Sequence, residues 1–215
     1  MNLRKYKFLW CLCTFVFSVF VNITAEEQEI INIKDYFPTQ DDAYWSYSYN
    51  YGKDIVTNMY PNTKLNDDYF AEVYLSVEIY GASDRILAKI YCLDNNKIVA
   101  LGQKDITRSY YDIFGKYYYY QAPFPIVLAP PDSKGEYMDN GNICHYVTSI
   151  ATCKYDDKIF KDCILVEEKT MLNNKPIRTK RRYYAKGVGL VCVTLVNDEG
   201  VEKVFMKLEI SSLLK

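Results

Sequence analysis

The chain is poor in the residues that most often do chemistry. His145 is the only histidine among 215 residues, and a nucleophilic Ser or Cys enzyme usually borrows such a side chain as its base. Cys144 stands next to it, but adjacent strand residues point to opposite faces. His145 is therefore expected to pack or to be solvated, and no catalytic residue is expected. The seven cysteines contain no C-x-x-C spacing, and zinc wants three or four convergent ligands, so neither a metal nor another cofactor is expected. Long hydrophobic runs are also missing. The apolar run from Phe8 to Val21 stops at 14 residues, short of the roughly 20 that a spanning helix needs. No segment offers three turns of helical periodicity, which argues against a helical fold, and no low-complexity linker divides the chain.

What is present begins with an export signal. Arg4, Lys5 and Lys7 make a positive start, Phe8 to Val21 an apolar centre, and Ile23-Thr24-Ala25 a cleavage site, so residues 1-25 are expected to be a signal peptide cut after Ala25. Cys11 and Cys13 raise the question of lipidation, but Trp10 stands where a lipid-attachment motif wants a small residue. Cleavage removes Arg4, Lys5 and Lys7 from the 26 basic residues and none of the 27 acidic ones, leaving a net charge near −4. Nucleic acid is disfavoured as a partner. Residues 26-215 suffice for one domain with its own core. The expected destination is the periplasm or the exterior, with no transmembrane segment after cleavage.

Composition and spacing then point to β-structure. Twenty-two Tyr and ten Phe accompany many Val, Ile and Thr residues, which suit a pleated, half-buried surface. Trp45, Tyr47, Tyr49 and Tyr51 alternate with Tyr44, Ser46, Ser48 and Asn50, and Val204, Met206, Leu208 and Ile210 alternate with polar partners. Asn95-Asn96 and Asn140-Gly141 are hairpin signals, while Asp156-Asp157-Lys158, Asn173-Asn174, Gly187 to Gly189 and Asp198 to Gly200 mark further turns. The expectation is an all-β chain of roughly nine or ten strands. They would form one curved antiparallel meander sheet, whether half-barrel, open barrel or sandwich. A loose echo of Phe37-Pro38…Tyr47 in Phe124-Pro125…Tyr137 suggests a weak duplication, with a second half from about residue 122.

Five cysteines follow the expected cleavage site, and in an oxidising compartment an odd count leaves one thiol over. Cys153 and Cys163 lie symmetrically about Lys158, so a hairpin there would set them opposite each other as a disulfide; Cys144 with Cys153 is the rival pairing. Paired acids invite a hydrolase reading. However, Asp41-Asp42, Asp67-Asp68 and Asp156-Asp157 fall in expected turns, and Glu167 and Glu168 on opposite faces of one strand. Asp139-Asn140-Gly141-Asn142 lacks the acidic ligand that calcium would need. Lys175, Arg178, Lys180, Arg181, Arg182 and Lys186 make the one local positive stretch, with Arg178, Lys180 and Arg182 on one side of a strand. They suit contact with an anionic surface or another chain, or, as the favoured reading, protection of an exposed sheet edge. Trp45, Tyr47, Tyr49, Tyr118 and Tyr120 are the candidate ligand-binding residues, since a tyrosine ring packs apolar groups while its hydroxyl hydrogen-bonds; simple core packing is the alternative. Pro123, Pro125, Pro130 and Pro131 keep the segment from Gln121 to Lys134 out of a central strand.

Several segments taken in order carry a resemblance. Tyr36-Phe37-Pro38 with Tyr44-Trp45-Ser46-Tyr47, then Phe160-Lys161-Asp162-Cys163 with Ile164 to Glu168, and then Tyr183-Tyr184-Ala185-Lys186-Gly187-Val188-Gly189-Leu190-Val191 resemble motifs of small exported bacterial β-proteins. The resemblance implies a curved antiparallel sheet similar to the lipoprotein-carrier type of half-barrel, in proteins mostly without an assigned activity. Many such relatives are lipoproteins, from which this chain departs by lacking an acceptable lipid-attachment Cys. The expected function is binding without catalysis. A lipid-like or other apolar or amphipathic ligand, or a partner protein of the envelope, would be held on a concave aromatic-rich face. An envelope-associated structural or interaction protein is the alternative, and a hydrolase comes third.

Overall fold

Alternating hydrophobicity and paired turn residues produce a sheet in which almost every strand pairs with its neighbours in sequence. The computed structural model describes residues 31–40, 43–49, 54–61, 69–76, 85–105, 118–119, 125–138, 142–173 and 175–214. Asn32–Lys215 form one compact unit, apart from Met1–Ile31; the expected signal peptide lies outside the described residues. A short 3₁₀ turn, η1 (Ile33–Tyr36), precedes thirteen strands. These are β1 (Tyr44–Tyr49), β2 (Asp54–Pro61), β3 (Tyr69–Ser76), β4 (Arg85–Asp94), β5 (Lys97–Asp105), β6 (Tyr118–Tyr119) and β7 (Ile126–Leu128). The second half of the chain supplies β8 (Lys134–Met138), β9 (Asn142–Tyr155), β10 (Lys158–Leu172), β11 (Lys175–Ala185), β12 (Gly189–Val196) and β13 (Glu202–Ser211).

The order across the sheet is β6-β5-β4-β3-β2-β1-β13-β12-β11-β10-β9-β8, with β7 hydrogen-bonded to β5 off this path. The described ladders are all antiparallel. Two meanders are thus joined where the first strand pairs with the last, and the sheet remains open between β6 and β8. The connection through β7 spans this seam: Ala100 donates its N–H to the Pro125 carbonyl. A side chain at Gly135 of β8 would meet Ile126 Cδ1 at 2.9 Å.

Turn chemistry explains the tight connections. Asn95 and Asn96 both adopt positive φ, 47° and 59°, as a hairpin turn matched to strand twist requires. Asp156 and Asn173 also take positive φ at their turns, and Gly187, Gly189 and Gly200 supply the left-handed backbone of the last two. The Asn140-Gly141 turn lies outside the described residues.

Irregularities decide which side chains are buried. On β13, Met206 and Leu208 are buried but Val204 and Ile210 are exposed, contrary to the simple alternation. Register shifts at Val193/Thr194 and Ser46/Tyr47 insert extra residues, and a bulge bends the strand it interrupts. On β10, Asp162 adopts φ 50°, and Phe160 and Cys163, three residues apart, are both buried.

One end is closed by η1. Ile33 is completely buried and donates its N–H to Asn96 Oδ1. Phe37 packs edge-on against Tyr91 of β4 at 5.3 Å, and the Asp35 carbonyl accepts the Gly187 N–H. The same short segment therefore touches β4, the β4–β5 turn and the β11–β12 turn.

Candidate functional site

The register places Arg182, Lys180 and Arg178 on one face of β11, opposite Val166, Glu168 and Thr170 of β10. Glu168 in turn lies opposite His145 of β9. This face is concave. Six strand steps separate β4 from β11 along the sheet, about 29 Å if it were flat. Yet Lys89 of β4 adds to the repulsion felt by Lys180.

Burial along this face is graded. Tyr184 is 2% exposed, the Arg182 side chain 13%, Lys180 half-buried and Arg178 exposed. The concavity is closed near η1 and opens toward the β12–β13 turn. A groove of about 420 Å³ lies at the open end, lined by Ile177, Arg178, Leu195, Val201, Val204 and Phe205 among others.

The electrostatics are one-sided. Arg182 donates through Nη2 to Glu168 Oε2 at 2.8 Å, committing the carboxylate. Lys180 makes no ion pair among the described residues, and crowding protein pushes its ammonium down to about 8. Burial is the main cause; Arg182, Lys89 and Arg178 add repulsion, which Glu168 only partly offsets. Lys180 nevertheless keeps some access to water. Lys180 lies directly opposite Leu195, which lines the groove.

His145 is 1% exposed, with Nε2 3.9 Å from Glu168 Oε2. Burial first, and then Arg182, pushes its imidazole down to about 4, against a smaller opposing pull from Glu168. It is a neutral packing residue at neutral pH. Glu167 points to the other face, as expected, where Arg181 and Lys169 hold its carboxylate. Despite the raising effect of burial, these cations keep its pKa below the usual value.

The sequence candidates fall into three groups. Trp45 and Tyr47 are each 4% exposed. Trp45 donates its indole N–H to the Val188 carbonyl at 2.6 Å, and Tyr47 its hydroxyl to the Leu190 carbonyl at 2.9 Å. Both rings thereby tie β1 to the start of β12, a packing role. Tyr49 and Tyr118 lie on β1 and β6, but their side chains, and all of Tyr120, are outside the described residues.

Cys153 and Cys163 are free and buried. The turn is centred between Asp156 and Asp157, so Cys153 faces Phe160, and Cys163 faces Ile150; the expected opposition of Cys153 and Cys163 about Lys158 is corrected by three residues. The Asp162 distortion still brings Cys163 beside the Cys153 backbone. Burial, with Cys163 and Glu202 nearby, pushes the Cys153 thiol up to about 12.

The edge-protection role favoured for Arg178, Lys180 and Arg182 is overturned. β11 is paired on both sides, with β10 and β12, so it has no edge to guard. Alternation had revealed that these cations share a face. That the face is interior depends on long-range strand order, and Lys89 carried no signal at all.

Among the described residues no group of three or more His, Cys, Asp or Glu side chains is placed to hold a metal, and no helix is long and apolar enough to cross a membrane. Comparison of the chain with protein-family models, curated proteins and solved structures finds no match.

Proposed function

We propose that this is an exported, non-catalytic binding protein that holds an amphipathic ligand on the concave face of its curved sheet. The observation that carries this reading is the groove at the open end. Its volume of about 420 Å³ falls within the range of roughly 300–1,000 Å³ typical of small-molecule sites. Apolar side chains from three consecutive strands and the β12–β13 turn line it, and Ile177, Val201 and Val204 remain exposed. Such a combination is the usual mark of a binding surface rather than of a core. Native mass spectrometry of the protein purified from its own host tests the reading. A retained adduct of lipid size supports it; a bare chain overturns it, and a second polypeptide favours the envelope interaction protein instead.

A further inference from the structure

The polar end of such a ligand is specified by the cations beside the groove. We propose that the site takes a single-chain amphiphile with a carboxylate head, the head paired with Lys180 and the chain lying among Ile177, Leu195, Val201 and Phe205. This rests on the binding reading above and adds the ligand's charge to it.

Three observations converge. The strongest charges acting on Lys180 among the described residues are three cations, Arg182, Lys89 and Arg178, and one carboxylate, Glu168, which is already bonded to Arg182. Burying a charge is costly unless it is paired, and a half-buried lysine among three further cations is paired by no residue described. A bound anion would complete that pairing. Arg178 belongs both to this row and to the groove lining, so the cationic and apolar parts are continuous. The described lining of the groove holds two cations, Arg178 and Lys203, and one carboxylate, Asp198. Lys180 brings one ammonium to this end of the face, and a single negative charge neutralises it. Because β11 is an interior strand, protection of a sheet edge does not account for the row.

Displacement of the neutral fluorophore N-phenyl-1-naphthylamine from the purified full chain tests the assignment. Decanoate should displace it at about tenfold lower concentration than decanol, the gain expected of one charge-assisted hydrogen bond, and decyltrimethylammonium should be weakest. Lys180→Met should abolish the preference for decanoate over decanol without lowering the melting temperature. Arg178→Gln, at an exposed position, should reduce the preference about threefold even if the first variant fails to fold. Equal potency of decanoate and decanol on the wild-type chain overturns the carboxylate head while fluorophore binding leaves the groove intact. Tighter binding of decyl phosphate than of decanoate overturns the choice of head group. Failure to bind the fluorophore and decanoate alike removes both this inference and the binding reading.

Discussion

Gly189 is the residue with least room for change. Its φ is +95°, and a Cβ there would stand 3.2 Å from Pro38 Cδ and 3.5 Å from Trp45 Nε1. Backbone strain and crowding act together, so Gly189→Ala should cost about 1–3 kcal/mol, measured as a lower urea midpoint. His145 makes a second prediction at this scale. Its folded pKa of about 4 lies below the ordinary 6.5, so between those values the unfolded chain holds more protons than the folded one. Stability should be unaffected by this group above pH 6.5 and fall as pH drops toward 4, by order 3 kcal/mol. His145→Met should flatten that part of the curve in denaturant titrations at stepped pH.

Among elements, β10 and β11 are joined across their ladder by the Arg182–Glu168 ion pair. Glu168→Gln would remove the carboxylate that Arg182 bonds and that Lys180 lies opposite in a crowded place. The cost should be about 2–4 kcal/mol in a urea melt, toward the lower end because both side chains keep some solvent access. The same change removes the carboxylate that competes with a bound anion, so affinity for decanoate should rise while stability falls. Lys180 predicts a pH response as well. The groups facing it are Arg178 and Arg182 on β11, Glu168 and His145 across β10 and β9, and Lys89 from β4. Decanoate binding should weaken as pH rises through about 8 and the ammonium is lost, while decanol binding stays level. In the absence of ligand, the folded chain should gain stability over the interval from about 8 to the ordinary 10.5, where the unfolded state holds the extra proton.

Much at this scale was legible in the residues themselves. Asn95-Asn96 and Asp156-Asp157 specify turns through local backbone preferences, and Trp45 and Tyr47 betray a buried face by alternating with serine. What was not legible depends on distant partners. The register shift at Val193/Thr194 belongs to the pairing of β12 with β13 and not to either strand alone, and Val204 is exposed despite a perfect period of two. The basic row is visible in the alternation of Arg178, Lys180 and Arg182. Its interior position is not, because nothing in 178–182 says whether a strand lies on each side.

For the whole molecule, the defining contact is between β1 and β13, some 160 residues apart in the chain. Every other step along the main sheet path joins strands that follow one another in sequence. That single junction welds two separable meanders, so neither can curve to completion until the final hairpin has been synthesised and has found the first strand. Long-range pairing of this kind is slow because loop-closure entropy precedes its reward. A circular permutant with Lys215 linked to Asn32 and new ends placed between β6 and β7 would turn the junction into a local hairpin. Stopped-flow refolding of the permutant should be faster than that of the natural order. Equal rates would place the slow event elsewhere. In the natural chain, the last strand acts as a latch whose late arrival leaves β1 with an open margin, a period in which a growing polypeptide stays pliable before its sheet closes along this junction.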